Sequence, residues 1–189
     1  MLPLDNCEVL LHLAQKEANH PFFIAIEGRC AAGKTTLAQE IRSSLNCNVV
    51  HMDDFYLPFS KRTEERMAQP GGNMDFERLL FEVLLPLKNG TNALYRPYDC
   101  HHDTFLPSEE LSAAAPTIIE GSYSCHPRLQ KNYDFRVFMD ISLERQKIRL
   151  KERDPSSYDM FQTIWGSREE HYFTACHVRN CCDLVIWGD

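Results

Sequence analysis

The chain has 189 residues, 43% of them hydrophobic, and this length and composition predict one domain, residues 1–189, with one sizeable core. Its formal net charge of -7 argues against nucleic acid as a partner, because binding to a phosphate backbone needs a concentrated basic surface. The chain has no apolar run long enough to span a bilayer and no basic secretion signal at its start, so we expect a cytoplasmic protein without a membrane partner.

Apolar runs and helix-like spacing of apolar residues alternate along the chain. The apolar runs predict five buried strands, at 22–27, 48–52, 116–120, 135–140 and 183–187. Helical spacing predicts helices at 5–18, 34–45, 142–152 and 159–175, with one more that begins at Asn73 or Asp75 and ends near Asn89 and Gly90. Buried strands that alternate with helices are typical of an α/β fold in which helices cover both faces of a parallel sheet.

Residues 54–110 are predicted to leave this regular order as an excursion from the sheet. The polar stretch 57–73 contains proline and two adjacent glycines, which indicates a loop. The stretch ALYRPYDCHHDTF, residues 93–105, alternates and contains turn residues, which suggests short antiparallel pairing.

The eight cysteines are spaced irregularly and include no C-x-x-C pair. Three of them directly precede a histidine, at Cys100, Cys125 and Cys176, and both residue types can ligate zinc. Free thiols are favoured, with a structural metal site as the alternative.

Between the first predicted strand and its helix the chain reads GRCAAGKT, which matches the phosphate-binding pattern G-x-x-x-x-G-K-[S/T]. Glycines let the backbone wrap phosphate oxygens, while free N–H groups and the helix dipole favour an anion. In such a P-loop, Lys34 reaches the β- and γ-phosphates, Thr35 ligates Mg²⁺ and Thr36 assists at the α-phosphate. ATP and Mg²⁺ are therefore the expected cofactors. The predicted nucleotide-binding residues are Gly28, Arg29, Cys30, Ala31, Ala32, Gly33, Lys34, Thr35 and Thr36.

The second predicted strand runs into HMDDFY, so that Asp53 and Asp54 follow it directly. Ligands of parallel sheets collect at the carboxyl ends of the strands, where the P-loop also lies. Phosphoryl transfer to an alcohol needs a carboxylate that accepts the hydroxyl proton. One acid of this pair is therefore a candidate catalytic base.

Six segments, taken in order, resemble the uridine kinase family, to which nicotinamide riboside kinase, pantothenate kinase and phosphoribulokinase are related. They are GRCAAGKTT, HMDDFY, NMD, YRPYD, IIEG and RLKERD, and the resemblance extends over residues 22–187. It implies a three-layer P-loop fold with a five-stranded parallel sheet ordered 2-3-1-4-5. It also implies a small hydroxyl-bearing metabolite as the partner.

The resemblance implies specific roles for the residues of two segments. Asp53 would be the catalytic base and also one of the metal-site residues, and Asp54, next to metal-bound water, belongs with the acceptor-binding residues. Phe55 and Tyr56 would line the acceptor pocket. Glu120, in IIEG, would hold Mg²⁺ together with Thr35.

Two further segments resemble parts of the family's acceptor site. Asp75 in NMD matches an acid that contacts ribose hydroxyls, and it suits a helix cap equally well. Arg96 and Tyr98 in YRPYD are acceptor-site candidates together with His102. His102 sits one residue earlier than the base-reading histidine of the family, and no arginine follows it.

The segment RLKERD resembles the start of the family's lid, whose arginines clamp phosphates. Arg149 and Arg153 are four residues apart and would share one helix face. The alternative is a solvated charged face without a catalytic role. Pro155, Ser156 and Ser157 stand where the family has more arginines, so the predicted lid, 149–158, is short.

These features together predict ATP- and Mg²⁺-dependent phosphorylation of a hydroxyl group on a small metabolite. The resemblance favours the 5′-hydroxyl of uridine or cytidine as the acceptor. One alternative is a kinase for another small alcohol, such as nicotinamide riboside or pantothenate. A second is a regulator that binds nucleotide without transferring phosphate, although a base beside the metal site argues against it.

Overall fold

The computed structural model of the protein describes residue 10, residues 22–156 and residues 158–188, apart from the side chain at position 162. The described residues form nine strands: β1 (Phe23–Gly28), β2 (Asn48–His51), β3 (Ala93–Tyr95), β4 (Tyr98–Asp99), β5 (Thr104–Phe105), β6 (Glu109–Leu111), β7 (Thr117–Glu120), β8 (Phe135–Asp140) and β9 (Leu184–Trp187). Five of them build a sheet in the order β2-β7-β1-β8-β9, with parallel pairing throughout. The predicted α/β fold and the predicted strand order 2-3-1-4-5 are confirmed.

The helices of the described residues are α1 (Lys34–Ser44), α2 (Glu64–Met67), α3 (Phe76–Leu79), α4 (Leu85–Lys88), α5 (Leu143–Arg153), α6 (Tyr158–Met160) and α7 (Gly166–Ala175). The π-helical turns Leu80–Leu84 and Phe161–Trp165 connect α3 to α4 and α6 to α7. Pro86 has no N–H for the carbonyl four residues earlier, which favours the wider turn before it. No helix in the described parts of the chain is long and apolar enough to cross a membrane.

The five predicted strands agree with the structure to within one residue at either end. The predicted loop at 57–73 is only partly correct, because it contains a 3₁₀ turn, Phe59–Lys61, and the one-turn helix α2. Thr63 caps α2 by accepting the N–H of Arg66 at 3.2 Å. The predicted helix at 5–18 lies outside the described residues apart from Leu10, which is buried.

Apolar side chains cover both faces of the sheet, as the predicted three-layer arrangement requires. Along β1, Phe23 and Ala25 point into one core, and Ile24 and Ile26 point into the other. Side chains of α3, α4 and α7 contribute to the first core, and α1 packs in the second. Because helices and loops cover both faces of the sheet, we expect the ligand site at the carboxyl ends of the strands.

The excursion contains two short antiparallel pairs, β3 with β6 and β4 with β5, which confirms the antiparallel prediction. Within the excursion, backbone hydrogen bonds hold residues 73–75 beside residues 55–57, which follow β2 closely. Leu57 donates its N–H to Asn73 at 2.8 Å, and Asp75 donates to Phe55 at 2.7 Å. The excursion therefore stands beside the carboxyl end of β2.

Candidate active site

A cavity of about 1000 Å³ opens at the carboxyl ends of the parallel strands. It is lined by residues 30–36 and by Asp53, Tyr56, Glu120, Arg149 and Arg153, all of which the sequence analysis selected. Segments that are far apart in sequence therefore meet at the edge of the sheet where ligands of α/β folds collect.

The P-loop connects β1 to α1 through two residues with left-handed backbone, Ala31 (φ 62°) and Gly33 (φ 98°). The ammonium group of Lys34 folds back over the loop and donates to the carbonyls of Gly28 at 2.8 Å and Arg29 at 2.9 Å. Lys34 is the first residue of α1, so its positive charge lies where the helix dipole also favours an anion.

Two of the predicted nucleotide-binding residues, Gly28 and Arg29, do not line the cavity. Arg29 turns its guanidinium away because carboxylates hold it there: its Nε lies 3.1 Å from Asp140, and it is also paired with Glu170. The side chain of Arg29 therefore anchors the P-loop from outside the cavity, and nucleotide binding by the backbone at this position stays a prediction.

Thr35 and Glu120 meet on the wall of the cavity, which Asp53 also lines. The Thr35 hydroxyl donates to Glu120 at 3.1 Å, and Nδ1 of His51 lies 2.6 Å from the same carboxylate oxygen. This contact with Glu120 raises the pKa of His51. Asp53 opens onto the cavity, and desolvation raises its pKa, opposed by the charge of Lys34.

The oxygen atoms of Thr35 and Glu120 suit Mg²⁺, which prefers hard oxygen ligands. Among the described residues, no three Cys, His, Asp or Glu side chains converge on a possible metal site, and this holds for the Cys-His pairs as well. Mg²⁺ in nucleotide sites is held by one or two protein oxygens together with substrate phosphates, and a full protein cage is not needed. The residues present therefore fit a magnesium ion that arrives with a nucleotide.

The 3₁₀ turn Met52–Phe55 decides which residues of HMDDFY face the cavity. With three residues per turn, positions 53 and 56 point to the same side, and both Asp53 and Tyr56 line the cavity. Phe55 points the other way: it is fully buried, and its ring centroid lies 5.9 Å from that of Tyr95. Phe55 is thus a core residue and does not line the acceptor pocket, contrary to the prediction.

Asp54 and Asp75 also lie outside the cavity lining. Asp54 accepts the hydroxyl of Tyr95 in the excursion. Asp75 is buried and caps α3 by accepting the N–H of Arg78 at 3.1 Å, while its other oxygen lies 3.6 Å from Lys61. Of the two roles open to Asp75, the structure shows the helix cap, and the placement of both acids among acceptor-binding residues is not supported.

The acceptor-site candidates of YRPYD point away from the cavity as well. Arg96 pairs with Glu82 at 2.8 Å, and Tyr98 is buried with its hydroxyl on Asp103. His102 is 77% exposed beside Asp99, and it is the neighbouring His101 that lines the cavity.

The local cause is a turn built on Asp99, whose side chain accepts the N–H groups of His101 at 2.8 Å and His102 at 3.3 Å. The turn sends the two histidine side chains in different directions. The structure therefore does not support His102 as an acceptor-binding residue.

Arg149 and Arg153 line the cavity next to the outer half of the P-loop. Arg149 donates to the carbonyl of Ala31 at 3.3 Å, and a guanidinium nitrogen of Arg153 lies 3.5 Å from Sγ of Cys30. Their contacts with the P-loop argue against the alternative of a purely solvated helix face. Their role in clamping phosphate stays a prediction.

Several residues that line the cavity were not predicted from the sequence, among them Asn73, His101, Ser122, Tyr123, Arg168 and Glu169. Ser122 and Tyr123 directly follow the IIEG strand, so their position at a strand end was a usable signal. Arg168 and Glu169 lie on α7, far from every motif in the sequence. Only the packing of α7 against the P-loop brings them into the site.

Comparisons with known proteins identify the family to which the chain is similar. The profile of the phosphoribulokinase/uridine kinase family matches residues 23–160. Uridine kinase of Saccharomyces cerevisiae is 28% identical over 147 residues, and uridine-cytidine kinase B of Dictyostelium discoideum is 30% identical over 148 residues. These matches cover 71% and 72% of this chain but 29% and 60% of the relatives, so the chain spans less than two thirds of either relative.

A solved structure points to the same fold. The structure of a possible uridine kinase from Bacillus stearothermophilus superposes with a TM-score of 0.71 over 96% of this chain and 97% of the other, at 20% identity. At that identity the likeness establishes the fold alone. Since the family profile covers well over half of the residues, the chain belongs to the phosphoribulokinase/uridine kinase family.

Proposed function

We propose that the protein transfers the γ-phosphoryl group of ATP to a hydroxyl group of a small metabolite in a Mg²⁺-dependent reaction, with the 5′-hydroxyl of uridine or cytidine as the acceptor. The observation that carries the proposal is Asp53, which opens onto the same cavity as Lys34, Thr35 and Glu120. This arrangement provides a phosphate cradle, oxygen ligands for Mg²⁺ and a carboxylate on the acceptor side.

Each group has a definite task in the proposed reaction. The amides of the P-loop and Lys34 bind and orient the phosphates. Bound Mg²⁺, held by Thr35 and Glu120, would neutralise charge that develops on the phosphate oxygens. Asp53 accepts the proton of the acceptor hydroxyl while its oxygen bonds to the γ-phosphorus and the bond to the ADP oxygen breaks. A raised pKa makes Asp53 a stronger base for this step.

The nucleoside acceptor is supported by the names of the two relatives, a uridine kinase and a uridine-cytidine kinase. The cavity also offers flat rings, Tyr56 and Tyr123, together with the amide of Asn73. Such groups can stack on a base and hydrogen-bond to a sugar.

A second candidate acceptor, another small alcohol, is favoured by one observation. None of the three residues predicted to recognise the acceptor in and after YRPYD, which are Arg96, Tyr98 and His102, lines the cavity. No observation favours the other alternative, a regulator that binds nucleotide without transferring phosphate, because nucleotide binding alone does not require a carboxylate at Asp53.

The test is ADP formation from ATP with a panel of nucleosides and vitamin-like alcohols, for the wild-type protein and for Asp53→Asn. We expect uridine or cytidine to give turnover, and Asp53→Asn to lower kcat at least about 100-fold, the usual worth of a general base. Asp54→Asn is the matched control, since Asp54 lies outside the cavity lining, and it should stay within about tenfold of wild type.

Two outcomes would count against the proposal. Unchanged turnover by Asp53→Asn would remove the assigned base. If neither uridine nor cytidine exceeds background ADP formation while another alcohol does, the second candidate replaces the first.

A further inference from the structure

A buried carboxylate on α7, that of Glu169, lies directly against the P-loop. Glu169 is 5% exposed, and its Oε1 accepts the backbone N–H of Cys30 at 2.9 Å and the hydroxyl of Ser122 at 3.0 Å. Its Oε2 accepts the side-chain amide of Gln146 at 3.3 Å. Neither the general base nor the magnesium site described above uses this group.

Burial of a carboxylate is costly unless several donors compensate it. The three donors of Glu169 come from three separate parts of the fold: the P-loop, the loop after β7, and α5. Gln146 also donates to the carbonyl of Cys30 at 3.1 Å, so both backbone groups of Cys30 are held by side chains. This network holds the two peptide groups that flank Cys30.

Other residues of α7 hold the start of the same loop. Glu170 pairs with the guanidinium of Arg29. The Tyr172 hydroxyl donates to Glu27 at 2.8 Å, and Glu27 in turn accepts the N–H of Gly28 at 2.9 Å. The first three residues of the P-loop are thus each tied, directly or through one side chain, to α7.

A cradle for phosphate works best when its amides are ordered in advance, because ordering them on binding costs affinity. The N–H of Cys30 is committed to Glu169, which leaves the first-turn N–H groups of α1 for phosphate. We propose that Glu169 is a positioning residue: it takes the Cys30 amide and the Ser122 hydroxyl and so holds the P-loop in the shape that binds nucleotide. This inference rests on the nucleotide site of the proposed function, but on neither the acceptor nor the transfer step.

The proposal predicts different results for two substitutions. Glu169→Ala removes the acceptor of Cys30, so we expect the affinity for ADP with Mg²⁺ to fall about tenfold, the usual size for one charge-assisted hydrogen bond. Glu169→Gln keeps a carbonyl oxygen for Cys30 and Ser122, and it should bind ADP within about 1.5-fold of wild type. A merely structural role would lower the melting temperature without changing affinity in the folded fraction.

The experiment is calorimetric titration of the whole protein with ADP in the presence of Mg²⁺, together with thermal unfolding of each variant without nucleotide. His171→Ala, an exposed position on the same helix, is the matched control and should not alter affinity. If Glu169→Ala does not fold, Ser122→Ala removes one donor at a half-buried position and should weaken ADP binding about threefold.

Wild-type affinity in Glu169→Ala or, where that variant does not fold, in Ser122→Ala would overturn the positioning role. The same holds if Glu169→Gln loses as much affinity as Glu169→Ala. Because no acceptor is present, failure of every nucleoside in the turnover assay alongside the expected ADP affinities would count against the proposed function alone. A wild-type protein that binds no ADP would overturn both.

Discussion

Gly28 ends β1 at a point where the P-loop begins and the neighbouring strand β8 comes very close. Its φ of 139° lies in a region that favours glycine, and a Cβ added there would lie 2.0 Å from the carbonyl oxygen of Met139. The same carbonyl accepts the N–H of Arg29 at 3.1 Å, so neither backbone can move aside without loss of that bond. The first glycine of the motif is therefore required by packing between strands, in addition to phosphate binding.

We expect Gly28→Ala to lower the free energy of unfolding by about 3 kcal/mol or more, because a backbone atom cannot yield as a side chain can. Gly90→Ala is the control: its φ is 74°, yet no atom lies within 4 Å of an added Cβ. That substitution should cost only the strain of a left-handed residue, about 1 kcal/mol. Chemical denaturation of both variants measures the difference, and equal losses would refute the packing argument.

The carboxylate of Asp75 caps a helix and does not line the cavity. Its oxygen holds the first turn of α3 through the N–H of Arg78, and the exposed Lys61 beside it adds little, because surface ion pairs are weak. Asp75→Asn keeps a good capping residue, whereas Asp75→Ala does not. We expect Asp75→Ala to lose about 1 kcal/mol of unfolding free energy in urea, and Asp75→Asn to lose much less.

The same pair of variants separates the cap from a role in sugar binding. Both should keep the KM of the acceptor that the turnover assay identifies, since Asp75 does not line the cavity. A large rise in that KM for Asp75→Asn, with stability retained, would restore the sugar-binding role.

At the level of elements, patterns that are local in sequence were sufficient for the strands and the P-loop. Apolar runs located β1 and β8, and the motif placed Lys34 and Thr35 on the cavity wall. Local sequence patterns did not predict which side chains of HMDDFY face the cavity. A single 3₁₀ turn places Asp53 towards the cavity and Phe55 in the core. A turn of four residues is too short for its three-residue periodicity to be recognised in the sequence.

At the level of the whole molecule, the site depends on long-range packing that no local pattern contains. Ser122 and Glu169 are 47 residues apart and hydrogen-bonded to each other, and Glu169 reaches Cys30 across 139 residues. The strand order could be predicted because the resemblance covers nearly the whole chain. The docking of α7 onto the P-loop could not, since its acids look like an ordinary exposed helix face.

His126 links pH to the stability of the whole molecule. Its ring stacks on Phe76 with centroids 4.0 Å apart, and its Nδ1 accepts the N–H of Arg128 at 3.3 Å, which requires that nitrogen to be unprotonated. Desolvation, with a smaller contribution from the charge of Arg128, lowers the pKa of His126 from 6.5 to about 4. Between these two pH values the unfolded chain binds a proton that the folded chain does not.

The free energy of unfolding should therefore fall as the pH is lowered from 6.5 towards 4, on account of this residue. Well above pH 6.5 the imidazole is neutral in both the folded and the unfolded chain, so the free energy of unfolding no longer changes with pH on account of His126. When the pH is lowered from 8 to 5, we expect the free energy of unfolding to fall by about 1 kcal/mol more in wild type than in His126→Asn. This value allows for solvent screening at the partly exposed ring. Asparagine keeps an acceptor near Nδ1 and does not titrate, so urea denaturation of the two proteins at both pH values isolates the histidine from the carboxylates. Parallel stability curves would show that His126 titrates normally in the folded chain.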